Sequence, residues 1–203
     1  MLSTECKKRV SQTRFAMRSG KSAYWLPSIV LAASGLMGTQ SAMALNVNAE
    51  VFQTSENPWD MAFLQDGTMF FTEKCKGLSV RLPSGNVSKL LGVGGATGYA
   101  ATKNDLFCDG QAGVQGVAVD PDFAKNGFVY LYSSSKGSNR TYGGYNNIVM
   151  RMKVNSSLNG VSDIVEIIND LGYKPLKSNH PFGGPGAHNG GRLRFGPDGF
   201  LYV

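Results

Sequence analysis

Trp59-Asp60-Met61-Ala62-Phe63-Leu64-Gln65-Asp66-Gly67-Thr68-Met69-Phe70-Phe71-Thr72 sets two short apolar runs on either side of an Asp-Gly turn. Aromatic and β-branched residues flank a glycine that accepts positive φ at no steric cost, so the stretch reads as a β-hairpin. The phrase returns twice. Its second copy is Val114-Gln115-Gly116-Val117-Ala118-Val119-Asp120-Pro121-Asp122-Phe123, continued by Ala124-Lys125-Asn126-Gly127 and Phe128-Val129-Tyr130-Leu131-Tyr132, and its third runs from Gly191 to Val203 around Pro197-Asp198-Gly199. The turn aspartates Asp66, Asp122 and Asp198 stand 56 and 76 residues apart.

Between the hairpins lie further strand candidates, Gly77 to Leu82 with Val87 to Leu91, and Asn147 to Val154. Four short strands per repeat of this length predict an all-β fold of four-stranded antiparallel blades, a β-propeller. A β-sandwich whose hairpins are alike by accident is the other reading, because Pro-Asp-Gly turns are common in all-β proteins. The chain provides two repeats and the first half of a third, about two and a half blades, and stops inside a strand at Val203. The expectation is therefore that residues 45–203 are the N-terminal part of a longer propeller domain. No segment reads as a helix.

Two glycine-rich insertions without a strand pattern interrupt the repeat, from Gly92 to Gly113 and from Leu171 to Gly191. Each precedes the hairpin of a new repeat, so both are expected at one face of the scaffold, where binding and catalytic groups are commonly built.

The charge of the chain is uneven. Residues 1–44 hold Lys7, Lys8, Arg9, Arg14, Arg18 and Lys21 against Glu5 alone, which leaves the remainder of a +6 chain nearly neutral at +1. The basic balance is thus no argument for nucleic acid. A basic start, an apolar stretch from Trp25 to Gly38 and the small-residue pattern Ala42-Met43-Ala44 predict an export signal over residues 1–44, with a periplasmic or secreted mature protein. The apolar stretch is short and interrupted for a membrane span, although an uncleaved anchor is the competing reading. In an oxidising compartment the two remaining cysteines, Cys75 and Cys108, are expected to pair. The loop of about 33 residues that they close would contribute roughly 3–4 kcal/mol in the chain-entropy model.

Chemistry concentrates in the insertions. His188, in Gly186-Ala187-His188-Asn189-Gly190-Gly191, sits where glycines let a ligand approach the backbone. An imidazole there can act as a general base near neutral pH, or be an ordinary loop histidine bonded to a carbonyl; spacing does not choose. His180, before Pro181, has no comparable setting. Gln111 is the counterpart in the first insertion, an amide that donates and accepts hydrogen bonds. Asp109 is either a ligand or acid, or plain Asp-Gly turn chemistry. No ligand spacing around the cysteines, nucleophile elbow, phosphate loop or haem-attachment motif accompanies these residues.

Taken together, Asn57-Pro58-Trp59-Asp60-Met61-Ala62-Phe63, Thr72-Glu73-Lys74, Gly110-Gln111-Ala112-Gly113 through Phe123, and His188-Asn189-Gly190-Gly191-Arg192 resemble the soluble PQQ-dependent sugar dehydrogenases, the glucose/sorbosone dehydrogenase family. The resemblance runs from about Asn57 to the last residue. It implies a six-bladed propeller that oxidises an aldose at C1 to the lactone, with pyrroloquinoline quinone (PQQ) taking the hydride and calcium binding the cofactor. It implies that His188 is the general base and that Gln111 lines the sugar pocket. The residue before the base is acidic in the glucose-oxidising branch; here it is Ala187, which implies a different or broader sugar range. The cofactor-binding and calcium-binding groups are expected beyond Val203, with no metal site in this stretch, so residues 45–203 alone are expected to be inactive. The expected partners are an aldose and an electron acceptor. A propeller that binds carbohydrate or protein at its loop face without catalysis is the alternative, since the fold hosts many functions.

Overall fold

Where Asp and Gly stand between apolar runs, the chain turns back on itself. In the computed structural model, which describes residues 49–174 and 186–203, Asp66 Oδ1 accepts the Thr68 N–H at 2.9 Å and Asp198 Oδ1 accepts the Phe200 N–H at 3.1 Å. Gly67 and Gly199 take φ of +87° and +80° to complete these turns. The first turn joins β1 (Pro58–Phe63) to β2 (Met69–Glu73), and β3 (Gly77–Arg81) and β4 (Val87–Val93) follow in an antiparallel meander. The short β5 (Ala101–Lys103) then pairs with β4 in parallel.

The second blade is β6 (Val114–Val119), β7 (Phe128–Lys136), β8 (Tyr145–Val154) and β9 (Val161–Leu171), in that spatial order. A hairpin of β10 (Arg194–Phe195) and β11 (Leu201–Tyr202) begins a third. The fold is the all-β arrangement of propeller blades, two of them with four consecutive antiparallel strands and one begun. The described residues belong to the compact unit Asn48–Val203. The leader, with its expected export signal and cleavage site, lies outside the described residues. Among the described residues no helix is long and apolar enough to cross a membrane.

Four details depart from the sequence reading, the first being β9, which was not among the strand candidates. β5 lies in the first insertion, which was expected to hold no strand. A four-residue helix, α1 (Phe123–Asn126), fills the β6–β7 connection, closed by Gly127 in the left-handed region with its N–H on Phe123 O at 2.8 Å. In that same connection it is Asp120, not Asp122, that makes the turn bond, accepting the Asp122 N–H at 2.9 Å. Asp122 occupies the N-cap position of α1 and pairs with Lys125.

Packing between blades forms the core. Phe70, Leu78, Val80, Leu90 and Leu91 of the first blade meet Val117, Val129, Leu131, Ile148, Met150 and Met152 of the second. On the other face of the second blade, Ala118, Tyr132 and Val149 pack with Leu193, Phe195 and Leu201. β8 is therefore buried on both sides, and its run Asn146–Met150 is apolar or hydrogen-bonded throughout.

At the inner edge one carboxylate ties the three blades. Asp60 on β1 accepts the Val117 N–H of β6 at 3.2 Å and both guanidinium nitrogens of Arg194 on β10 at 2.8 and 2.9 Å. Thr72 adds a bond to the Gln115 carbonyl at 2.5 Å. Burial works to raise the Asp60 pKa, but Arg194 and the Val117 N–H outweigh it and hold the group below its ordinary 3.8. A depressed folded-state pKa contributes stability above that ordinary value, which is lost as pH falls through the folded one. Asp60→Asn should thus cost about 1–2 kcal/mol at neutral pH, and less at a pH of about 3. Urea denaturation of the full-length protein at both pH values checks this; an equal gap at both would contradict it.

Candidate functional site

An even number of antiparallel strands decides which connections share an end. In each meander the β1–β2 and β3–β4 turns, like β6–β7 and β8–β9, lie at one end of the blade. The β2–β3 and β7–β8 connections and the described ends of both insertions lie at the other. Gln111 and His188, which are 77 residues apart, therefore reach the same face. They meet there: the His188 N–H donates to Gln111 Oε1 at 2.9 Å.

The His188 loop is seated on the second blade by groups that sequence reading did not single out. Tyr132 donates its hydroxyl to the Asn189 carbonyl at 2.7 Å. Asn147 Nδ2 donates to Asn189 Oδ1 at 3.0 Å and to the Gly172 carbonyl at 2.6 Å. Burial pushes the Tyr132 phenol up to about 12, so it remains a donor at any working pH. The signal for Asn147 is a polar residue heading the buried apolar run Ile148-Val149-Met150, where an amide must find partners.

Glycine is required where this loop crosses β6. A Cβ on Gly116 would collide with the Gly191 carbonyl oxygen, and one on Gly191, at φ +96°, would stand 2.7 Å from the Tyr132 ring. Such contacts leave no room for a methyl group on either residue. His188 itself is exposed and holds a left-handed φ of +61°, unusual for a non-glycine residue. Ala187 is only 3% exposed, so the position before His188 points into the protein. His180 lies outside the described residues.

A second polar group stiffens the same face. Arg140, in the β7–β8 loop, bonds both carboxylate oxygens of Glu166 on β9 at 2.8 and 2.9 Å and reaches Asp105 at 2.9 Å. Lys103 Nζ bonds the same two carboxylates at 2.6 and 2.9 Å, and Ser135 donates to Asp105 at 2.7 Å. Glu166 is held below the ordinary carboxylate range, chiefly by Arg140, and Asp105 is held down despite burial by Lys103, Ser135 and Arg140. The first insertion is further tied by a disulfide between Cys75 and Cys108, whose Cα atoms are 5.0 Å apart.

Four cations of this region are already engaged and are not free to hold a polyanionic cofactor. Lys103, Arg140 and Arg194 are engaged with carboxylates, and Lys74 Nζ with the Gly110 carbonyl. Among the described residues no three His, Cys, Asp or Glu side chains converge as a metal site would require. The arrangement offers an exposed imidazole, an amide beside it and a rigid platform beneath.

A family model described as Glucose / Sorbosone dehydrogenase matches residues 55–203. The chain is 26% identical over 187 residues to the aldose sugar dehydrogenase YliI of Escherichia coli strain K12, a match covering 90% of this chain and 43% of that protein. Among solved structures it is similar to an oxidoreductase of Thermus thermophilus described as a glucose dehydrogenase, with 28% identity, a TM-score of 0.52, and coverage of 73% of this chain and 37% of that one. It shares its fold with the PQQ-bound aldose sugar dehydrogenase of Streptomyces coelicolor, with 21% identity, a TM-score of 0.54, and coverage of 74% and 38%. The chain thus spans less than half the length of each of these relatives.

The glycine contacts separate steric from conformational demand. Gly116→Ala should destabilise the full-length protein by about 2–3 kcal/mol, because backbone on both sides must move. Gly190→Ala, with nothing within 4 Å of the added methyl but φ of +66°, should cost only about 1 kcal/mol. Denaturant unfolding of the two variants checks the order; a reversed order would contradict the seating described.

Proposed function

Because the chain belongs to the glucose/sorbosone dehydrogenase family, we propose that the complete protein oxidises an aldose at C1 to the lactone, with His188 as the general base. The observation that carries this reading is the meeting of His188 with Gln111 across two insertions, on one face, over a hydrogen-bonded platform. PQQ is the proposed cofactor and, when bound, supplies a quinone able to accept the hydride. Calcium is proposed with it. No described residue is assigned to hold either, and the groups that do so are proposed to lie outside residues 49–203.

The chain's own part is proton chemistry and positioning. The imidazole of His188 takes the proton of the sugar C1 hydroxyl, while its backbone is held by Gln111 and the neighbouring Asn189 by Tyr132 and Asn147. With Gln111 Oε1 occupied by the His188 N–H, the amide NH₂ group is the part of Gln111 left to donate to a sugar oxygen. Ala187 offers no carboxylate and faces inward, which supports a sugar preference other than one set by an acid at that position. An export signal over residues 1–44 and a periplasmic or secreted location accompany the reading, with an electron acceptor receiving the electrons in turn. Residues 45–203 alone are proposed to be inactive.

Dye reduction by the full-length protein, loaded with PQQ and calcium and offered a panel of aldoses, tests this. His188→Ala should lower kcat by about a hundred- to ten-thousandfold, as expected for loss of a general base, while PQQ still binds. Gln111→Ala should raise KM more than it lowers kcat. Turnover that survives His188→Ala would remove the histidine from the chemistry.

A further inference from the structure

Gln111 is held in place for His188 by ties that come from outside its own loop. It sits in a tight turn, Asp109 to Ala112, closed by the Asp109 N–H on Ala112 O at 3.3 Å and the Ala112 N–H on Asp109 O at 2.8 Å. Gly110 allows the reversal with φ of +55°. Three ties then fix the turn. Cys108, immediately before it, is bonded to Cys75 in the β2–β3 connection of the first blade. Lys74 Nζ, on the residue next to Cys75, donates to the Gly110 carbonyl at 2.5 Å. From the second blade, Gln115 Nε2 donates to the Gln111 carbonyl at 3.2 Å.

On its far side the turn meets the histidine loop twice. Gln111 Oε1 accepts the His188 N–H, and the Ala112 Cβ lies 2.6 Å from where a side chain on Gly186 would begin. His188 needs such a support, since a left-handed φ on a non-glycine residue costs on the order of 1 kcal/mol unless its surroundings hold it. The disulfide stands apart from the blade core: Cys75 is exposed and Cys108 half-buried, whereas Phe70, Leu78, Val80, Leu90 and Leu91 are closed off between the sheets. Its position suits a local clamp.

We infer that the Cys75–Cys108 disulfide is a positioning element for His188: it clamps the Gln111 turn to the first blade, and through Gln111 it holds the histidine loop in its left-handed conformation. Opening the bond slackens that contact and leaves the blades intact. The kinetic consequence rests on the reading of His188 as the base, and the structural consequence does not.

The test is amide hydrogen exchange by mass spectrometry on the full-length protein, oxidised and after treatment with dithiothreitol. The reagent gives two electrons and two protons to the bond, leaving two thiols and its own cyclic disulfide. Peptides covering residues 186–191 should exchange about five- to tenfold faster after reduction, the change expected for loss of one ordinary hydrogen bond. Peptides from β2, β3, β7 and β8 should not change. Unchanged exchange at residues 186–191 overturns the inference. Faster exchange throughout the blades overturns it too, because the bond would then serve the whole fold. In parallel, Cys75→Ser with Cys108→Ser should lower kcat about tenfold with KM little altered, and adding Gln111→Ala should raise KM as it does alone while lowering kcat little further, since residues that act through one contact are not additive in it. Fully additive losses in kcat contradict the clamp. If His188→Ala retains turnover, the base assignment fails while the exchange result still decides the clamp.

Discussion

The carboxylate of Asp60 is the point at which three blades are held together. It belongs to β1, takes an N–H from β6 and grips the guanidinium of Arg194 on β10. The Asp60 side chain is 6% exposed, so its charge is largely desolvated and has to be bonded. Those bonds fix the spacing of the inner strands. With that spacing set, the sheets face one another at the distance that lets Phe70, Leu78 and Leu131 interlock on one side and Val149 and Leu193 on the other.

The site is a consequence of that frame. Four antiparallel strands return the chain to the same end after every blade, so the Gln111 turn and the His188 loop are delivered to one face without any long-range signal of their own. Close approach does the rest. Gly116 and Gly191 let the histidine loop lie directly on β6, and Tyr132 and Asn147 anchor it from the strands beneath. The salt-bridge group around Arg140 joins the β7–β8 loop, the first insertion and β9, so the loop face is braced at its outer part as well as its centre.

Much of this was legible in the residues. The three hairpins could be read because their turns are chemically marked by Asp and Gly and their strands by aromatic and β-branched residues. β9 was not among the strand candidates, because Asp163 at φ +49° and shifts of register break its alternation and place Glu166 on the inward face for Arg140. β5 was missed because three residues pairing in parallel leave no periodic signal. Asp122 had the right position and Asp120 the turn bond, a distinction that depends on where α1 begins. His188 and Gln111 were visible as chemistry, but their hydrogen bond joins residues 77 apart and is a product of topology. The buried amide of Asn147 carried a readable signal that only its partners explain.

The central claim, that His188 supplies the base, is tested most directly by chemical rescue. In the full-length protein carrying His188→Gly, a substitution its left-handed backbone tolerates, sugar-dependent turnover should be lost. It should return as imidazole is added, in proportion to the neutral form of the additive. Loss of turnover that no concentration of imidazole restores, with PQQ still bound, would contradict the account.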